Sequence, residues 1–296
     1  MQQSILRLLG LLAVSALAAC GGQPPTQTAP LAPVAGYEAV DDNGFHIEAV
    51  DPALLLEGRA RTEVDYTADD APGTIVVDTF SRKLYLVMEG GRALRYGIAV
   101  GREGLGFKGT GTIQRKVEWP SWQPTANMIR TRPDLYAEYA GGLPGGLENP
   151  LGARALYLYR GGRDTYFRIH GTIQNESIGH ATSAGCIRLF NQDAIDLFNR
   201  TDIGTKVKVR TLDESLAIEG PYMDDAWGRA VPETPENVAQ RDKDLLTISQ
   251  QEAAKAQEEE RAAAAAEKQA AKAEKKRLAV CRNKGISAED CPYDQG

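Results

Sequence analysis

The sequence predicts a mainly β protein: a β-sandwich domain that contains one short helix, followed by a long C-terminal α-helix. Two observations lead to this prediction. Short runs rich in β-branched and aromatic residues recur between Thr74 and Arg210, separated by glycines and turn residues. By contrast, residues 236–284 contain no glycine or proline and are rich in alanine, glutamate and lysine, as in an exposed helix.

The start of the 296-residue chain predicts export and lipidation. Residues 1–19 combine a weakly positive start with an apolar run that is too short to span a bilayer, which is typical of a signal peptide. Leu17-Ala18-Ala19-Cys20 matches a bacterial lipobox, so we expect the mature chain to begin at a lipidated Cys20. An ordinary secretory signal is the alternative. Gly21 after the cysteine favours the outer membrane of a two-membrane bacterium.

Residues 20–72 are predicted to form the lipidated N-terminus, a proline-rich tether and a lead-in segment. The β-rich domain follows at 73–211, with a helix after Asn191, which can act as its N-cap. The long proline- and glycine-rich stretch between Trp119 and Gly152 is interpreted as a lid or binding loop, with a poorly ordered insertion as the alternative. The β-rich runs are 74–78, 83–88, 94–100, 112–117, 155–159, 166–170 and 206–210.

Beyond this domain the sequence predicts a linker at 212–235 and then one continuous helix. Thr234-Pro235 suits the N-cap and first turn of a helix over 236–284, which would extend about 70 Å. Its later apolar positions are alanine, too small for a strong coiled-coil seam. Two interpretations stay open: a solvated spacer, or a weak coiled coil or partner-binding helix that contacts an envelope protein.

The four cysteines divide by role. Cys20 is the predicted lipid anchor. Cys281, near the end of the predicted helix, and Cys291, in a C-terminal tail over 285–296, would pair in an oxidising compartment. Cys186 is then left over in the β-rich domain. A solitary cysteine in an exported protein is either buried and inert or reactive.

Charge and histidine content narrow the function further. A formal net charge of −6 argues against a nucleic-acid-binding protein, because neutralising phosphates requires a basic surface. The three histidines, His46, His170 and His180, offer no zinc cluster, so neither a metal nor an organic cofactor is expected. His180 is interpreted as a loop residue.

The surroundings of Cys186 suit nucleophilic chemistry. A cysteine attacks a carbonyl as a thiolate, so it needs a base and backbone donors for the developing oxyanion. His170 ends a β-run just before Gly171 and can reach a neighbouring loop, with a purely structural histidine as the alternative. Gly185 allows close backbone approach to a substrate. Arg188 shares one side of an extended segment with Cys186 and can bind a carboxylate; a surface ion pair is the alternative.

These residues also form a recognisable pattern. Ile169-His170-Gly171-Thr172, Ser177-Ile178-Gly179 and the run Ser183–Leu189, then Asn191 and Asp193, resemble the signature of YkuD-type L,D-transpeptidases. The resemblance covers about residues 73–211 and implies a YkuD-like β-sandwich catalytic domain there. The roles it implies are Cys186 as nucleophile, His170 as its base, the Gly171 carbonyl as the group orienting His170, the Gly185 and Cys186 amides as the oxyanion hole, and Arg188, Ser183 and Thr172 as substrate-binding residues.

The chain departs from the family pattern in two places. Ala184 stands where many members carry histidine, so any role of that second histidine is absent. Lys108-Gly109-Thr110-Gly111 lacks the Thr-Pro-x-Gly turn common in the family. The second departure concerns the early sheet and the pocket rim rather than the chemistry.

The resemblance implies peptidoglycan chemistry. Together with the lipobox at Cys20 and with Gly21, it leads us to expect a periplasmic protein anchored by lipid in the outer membrane. Cys186 would attack the diaminopimelate carbonyl of a tetrapeptide stem, release D-alanine, and pass the acyl group to a second stem, a protein amine or a D-amino acid. Hydrolysis, which would make the enzyme an L,D-carboxypeptidase, and an inactive peptidoglycan-binding lipoprotein are the alternatives. Sortase-like and papain-like enzymes are disfavoured because their histidine and cysteine differ in spacing or order.

Overall fold

The structure is a computed structural model that describes residues 31–101, 109–182 and 186–292. The predicted signal peptide and the lipidation site Cys20 lie outside the described residues, and so do Ser183 and Gly185 beside Cys186. No helix within the described ranges is both long enough and apolar enough to cross a membrane.

The lead-in segment folds onto the β-rich domain. Strands β1 (Val40–Asp42) and β2 (Phe45–Ile47) form a hairpin, a 3₁₀ helix covers Pro52–Leu55, and β3 covers Thr62–Asp65. Apolar burial explains the attachment, because removing such side chains from water is favourable. The cluster that joins the segment to the domain contains Tyr37, Val50, Leu55, Ala99, Ile178 and Phe190.

The main sheet contains β3 and ten further strands. They are β4 (Ile75–Asp78), β5 (Lys83–Met88), β6 (Arg92–Gly97), β7 (Ala99–Gly101), β8 (Gly109–Glu118), β9 (Arg154–Arg160), β10 (Arg163–His170), β11 (Ala181–Thr182), β12 (Ile187–Arg188) and β13 (Lys206–Val209). Among the described residues the order is β11-β7-β12-β10-β9-β8-β13-β4-β5-β6-β3. Strands β6 and β7 are joined by Ile98 alone yet lie near opposite ends of this order, so the sheet must roll over on itself.

The rolled sheet encloses the main apolar core. Because successive side chains of a strand point to opposite faces, alternate residues of each strand enter the core. Tyr96, Ile98, Leu158, Ile169 and Ile187 are all at most 4% exposed there. This confirms the predicted mainly β sandwich, whose two layers are the two halves of one sheet.

Three α-helices lie in the described part of this domain, along with short 3₁₀ helices at Ala137–Tyr139 and Asn175–Ser177. The long loop between β8 and β9 contains α1 (Ala126–Thr131) and α2 (Pro133–Tyr136), and α3 (Asn191–Arg200) follows β12. Leu197 and Phe198 of α3 are buried in the main core. The helix occurs where it was predicted, but its N-cap is Phe190, so the prediction that Asn191 caps it is wrong.

The segment predicted as a linker, 212–235, is folded. Its elements are α4 (Leu212–Glu219) and a hairpin of β14 (Tyr222–Asp224) and β15 (Ala230–Pro232). Thr211 and Glu214 cap the start of α4 by reciprocal side-chain to backbone hydrogen bonds. The Ala230 amide donates to the Gly179 carbonyl at 3.0 Å, which attaches the hairpin to the loop after His170.

The predicted C-terminal helix is present as α5 (Pro235–Asn283). Thr234 is its N-cap, accepting from the Asn237 amide at 3.2 Å, with Pro235 in the first turn as predicted. Its 49 residues correspond to about 74 Å at the usual helical rise. A disulfide joins Cys281, in the last turn of the helix, to Cys291 beyond its end. Most of the helix beyond residue 250 is exposed.

Candidate active site

Cys186 lies immediately before β12, beside the end of β10. Ile187 is the Cα partner of Ile169 of β10, and both side chains are buried in the core. Alternation along the strand therefore turns Cys186 and Arg188 to the opposite face. Cys186 is half-buried, and its carbonyl accepts a hydrogen bond from the Gly101 amide at 3.3 Å.

His170 lies on the same face. It is the last residue of β10 and the Cα partner of Arg188 in the parallel pairing of β10 with β12. The alternation that buries Ile169 points His170 away from the core, toward the side occupied by Cys186 and Arg188. The pairing of these two strands thus brings together the three predicted side chains.

The hydrogen bonding of His170 determines its tautomer. The side chain is buried at 4% exposure, and its Nδ1 lies 2.6 Å from the Gly171 carbonyl oxygen. Because a carbonyl oxygen only accepts, Nδ1 must carry the proton and donate it. Nε2 then has the lone pair that a general base needs to take a proton from a thiol.

His170 is also held in its neutral state. Burial, together with the positive charges of Arg188 and Arg168, lowers the pKa of His170 from 6.5 to about 4. Hydrogen bonding of the ring to the backbone of Gly171 and of Leu151 opposes this shift only in part. The imidazole is therefore uncharged near pH 7 and can accept a proton.

Packing explains why a glycine follows His170. A Cβ on Gly171 would lie 2.1 Å from Oδ1 of Asn191, the first residue of α3. The same oxygen accepts a hydrogen bond from the Ala153 amide at 2.9 Å, and a Cβ on Gly152 would lie 2.2 Å from it. Asn191 thus packs between the backbone at Gly171 and the backbone at Gly152–Ala153, where the long loop ends. Sequence reasoning missed Gly152, whose only signal was its position at the end of that loop.

Arg188 is positioned as an open cationic site. Its Nη1 donates to the Gln174 side-chain oxygen at 3.1 Å, and no carboxylate of the described ranges lies within 4 Å of it. Burial lowers the pKa of Arg188, while the nearby Cys186 and Tyr136, through their ionised forms, act in the opposite direction. An arginine stays protonated under such shifts. Among the described residues Arg188 therefore has no carboxylate with which to form the surface ion pair that was the alternative interpretation.

The remaining predicted site residues are placed differently. Thr172, predicted to bind substrate, is 2% exposed, and its hydroxyl accepts from the Gln174 amide at 3.0 Å. Its hydroxyl is therefore engaged within the loop, and the neighbouring Gln174 makes the contact with Arg188. Ser183 and the oxyanion-hole residue Gly185 lie outside the described residues.

The long loop over the site is ordered by its own contacts. Trp122 and Leu143 exchange two backbone hydrogen bonds of 2.9 and 2.7 Å. Buried Asn149 donates to the carbonyls of Pro120 and Pro144, at 3.0 and 2.8 Å. These contacts favour the interpretation as a lid over that of a poorly ordered insertion. Tyr136 of α2 borders the site, because it lies close enough to Arg188 for an electrostatic interaction.

A buried polar cluster joins the lead-in segment to the helix beside the site. Asp193 is 0% exposed, accepts from the Tyr37 hydroxyl at 2.9 Å and pairs with Arg61 at 3.1 Å. The Tyr37 hydroxyl oxygen also accepts from the Arg61 amide. Burial raises the pKa of Asp193 to about 7 despite the charge of Arg61. Asp193, part of the recognised motif, is thus a structural residue.

The other two histidines lie outside this arrangement. His180 is half-buried and forms a backbone bridge with Arg229, next to β15. His46 lies on the N-terminal hairpin and is bonded to Asp41 at 2.7 Å. Neither lies with His170 as a second base. The neutral buried His170, the Cys186 thiol and Arg188 share one strand face, and this arrangement is typical of enzymes that transfer acyl groups through cysteine.

Comparison with known proteins identifies the family. Residues 72–209 match the family model of the YkuD L,D-transpeptidase catalytic domain. A putative L,D-transpeptidase of Fuscovulum blasticum is 37% identical over 137 residues, 46% of this chain and 68% of that protein. The probable L,D-transpeptidase YbiS of Escherichia coli (strain K12) is 35% identical over 144 residues, 45% of this chain and 43% of its own length. The chain belongs to the L,D-transpeptidase family.

Solved structures are also similar. One from Brucella melitensis, described as a probable carnitine operon oxidoreductase, is 47% identical, with 53% of this chain and 96% of that chain covered and a TM-score of 0.38. Its name differs from the names of the curated relatives, and so low a TM-score supports no structural conclusion. The chain spans less than half of YbiS.

Proposed function

We propose that this protein is a peptidoglycan L,D-transpeptidase in which Cys186 is the nucleophile. Membership of the family supports the reaction type. The observation that carries the proposal is the parallel pairing of β10 with β12, which puts His170 on the strand face of Cys186. His170 is buried, neutral and protonated on Nδ1, so its Nε2 is suited to accept the thiol proton.

The first half of the reaction forms an acyl-enzyme. His170 Nε2 takes the proton of the Cys186 thiol, and the thiolate attacks the diaminopimelate carbonyl of a tetrapeptide stem. The amides of Gly185 and Cys186 are the proposed donors to the oxyanion. When the intermediate collapses, the bond to D-alanine breaks, His170 returns the proton to the leaving amine, and a thioester remains on Cys186.

Substrate recognition is assigned to Arg188. Its guanidinium has the Gln174 amide oxygen as a partner and no carboxylate of the described ranges within 4 Å. The planar fork of arginine binds a carboxylate through two parallel hydrogen bonds. A carboxylate of the stem peptide at Arg188 would lie beside Cys186, under the edge of the lid formed by Tyr136.

The second half returns the acyl group to an acceptor. Neutral His170 can remove a proton from an incoming ammonium group, and the resulting amine attacks the thioester. Diaminopimelate of a second stem gives a 3→3 crosslink, a lysine attaches a protein, and a free D-amino acid exchanges the stem terminus. Water as acceptor makes the enzyme an L,D-carboxypeptidase.

Covalent labelling by a carbapenem tests the nucleophile. Wild-type protein should gain the mass of one carbapenem by intact-protein mass spectrometry, and Cys186→Ala should not gain it. His170→Ala should keep the fold and slow the labelling by about 100-fold or more. A mass gain on Cys186→Ala contradicts the assignment, and a folded wild-type protein that is never labelled favours an inactive binding protein.

The acceptor and the location need cellular experiments. Muropeptide mass spectrometry of cells with and without the protein should show loss of 3→3 dimers; a loss of protein-linked stems or of trimmed tripeptides would identify the other acceptors. We also propose lipidation at Cys20 and anchoring in the periplasm, at the outer membrane. Incorporation of labelled palmitate into the wild type but not into Cys20→Ser is the expected result.

A further inference from the structure

A second cleft lies on the face of β5 and β6 that points away from the main core. Its volume is about 270 Å³. Lys83 and Gly97 are cross-strand partners on this face, with Arg95 two residues before Gly97. The β14–β15 hairpin and Asn237 at the start of α5 close the other side. The lining includes neither Cys186, His170 nor Arg188, so this cleft is separate from the candidate active site.

The cleft is rich in positive charge. Four basic side chains line it, and three of them are neutralised by carboxylates at its rim or behind it. The neutralised cations are Arg59, 2.7 Å from Glu57, Arg82, 3.1 Å from Asp224, and Lys83, 2.7 Å from Glu219. Arg95 is the fourth. It has no hydrogen-bonded side-chain partner and no ion pair among the described residues.

The unpaired state of Arg95 is unusual for a side chain in this position. Its Nε is buried without any acceptor, and the same is true of Ser81 Oγ and Arg82 Nε nearby. Glycine at position 58 leaves room for the guanidinium, since a Cβ there would lie 3.1 Å from Nη2. Buried charged groups in proteins are normally paired, because water no longer solvates them. One positive charge in this cleft therefore lacks its counter-charge.

We propose that this cleft binds a small monocarboxylate, with Arg95 as the residue that holds the carboxylate. A single uncompensated positive charge matches one carboxylate group better than a doubly charged phosphate. The wall supplied by Ala230, Val231 and Pro232 suits a short apolar substituent beside that group. The ligand class is an acylated amino acid or the carboxyl end of a short peptide.

Calorimetric titration of the full chain with N-acetyl-D-alanine tests the proposal, with N-acetyl-D-alaninamide and inorganic phosphate as the comparison probes. Saturable binding of the carboxylate is expected. Binding should weaken at least tenfold for the amide and for Arg95→Gln, because each change removes a charge-assisted hydrogen bond. Arg92→Gln is the matched control, because Arg92 lies on the same strand, is exposed and is paired with Glu63.

A second measurement separates binding from folding. Without ligand, Arg95→Gln should melt no lower than the wild type, because it removes a half-buried cation that has no ion pair among the described residues. N-acetyl-D-alanine should raise the melting temperature of the wild type and of Arg188→Gln, but not that of Arg95→Gln.

Four results would overturn the proposal. They are the absence of binding to the folded wild type, binding that survives Arg95→Gln, tighter binding of phosphate than of the carboxylate, and binding that is lost in Arg188→Gln. The last result would place the ligand in the candidate active site. None of these outcomes bears on labelling of Cys186, so the two proposals fail independently.

Discussion

The side-chain oxygen of Asn191 occupies the space that a Cβ on Gly171 would need, at a separation of 2.1 Å. That oxygen also accepts the Ala153 amide at 2.9 Å. One residue at the start of α3 therefore locates the peptide whose carbonyl orients His170. Gly171 thus contributes to the site in two ways: its lack of a side chain leaves room for Asn191, and its carbonyl accepts the hydrogen bond from His170.

Asn191→Ala should lower the rate of acylation by at least tenfold while the protein stays folded. The substitution removes the acceptor of the Ala153 amide and gives the Gly171 peptide room to move, and small misplacements of a catalytic group are costly. Stopped-flow acylation kinetics and circular dichroism provide the measurement. Asn199→Ala, an exposed change in the same helix, is the control. An unchanged rate and pH profile in Asn191→Ala would rule out a positioning role.

The wild type should lose more stability on acidification than His170→Gln does. The folded-state pKa of His170, about 4, lies below the ordinary 6.5, so the unfolded chain binds more protons between these pH values. The contribution of His170 to the unfolding free energy is complete above pH 6.5 and falls as the pH drops toward 4. Each pKa unit corresponds to about 1.4 kcal/mol, so the difference between the two proteins should reach on the order of 2–3 kcal/mol.

Urea denaturation across this pH range measures that difference. Asp193 titrates in the same range with the opposite sign, since burial raises its pKa to about 7. Its effect is common to the wild type and the variant and cancels in the comparison. Parallel stability curves from pH 7 to 4 would contradict a buried, neutral His170.

Arg188→Gln should remove the ability to recognise one carboxylate of the substrate. Stem tetrapeptides in which each carboxylate is amidated in turn are the substrates to compare. For one of these amides, the kcat/KM of the wild-type enzyme should be at least tenfold lower than for the parent peptide, because a charge-assisted bidentate contact is lost. In Arg188→Gln that amide and the parent peptide should react alike.

Arg188→Lys separates charge from geometry. Lysine keeps the positive charge but lacks the planar fork, so partial discrimination between the acid and the amide is expected. If Arg188→Gln still distinguishes all the amides from the parent as the wild type does, another residue binds the carboxylate.

Tyr37→Phe should destabilise the protein by about 1–3 kcal/mol, because it removes buried hydrogen bonds. The change removes the donor to Oδ2 of buried Asp193, whose Oδ1 keeps Arg61, and it leaves the Arg61 amide without its acceptor. Tyr166→Phe, at a side chain that is 77% exposed, should stay within about 0.5 kcal/mol of the wild type. Chemical denaturation of both variants provides the test; equal stabilities would mean that the lead-in segment adds no buried hydrogen bonding.

The sequence alone was enough to predict the class of fold and the family. Strand periodicity and turn residues are local signals, and β5 and the start of α5 occur where those signals placed them. The motif around His170 and Cys186 likewise consists of short runs of consecutive residues, so it can be recognised without the structure. The absence of glycine and proline over 236–284 was sufficient for the long helix.

Only the tertiary structure decided how these parts meet. The predicted run 94–100 is divided at Ile98, because a rolled sheet must bend there to enclose one core. The folding of 212–235 and the docking of Tyr37 against Asp193 depend on contacts between distant segments, which no local pattern encodes. Asn191 looked like a helix cap and is instead a packing partner of Gly171. Burial and strand pairing, which are properties of the assembled sheet, determine the neutral state of His170.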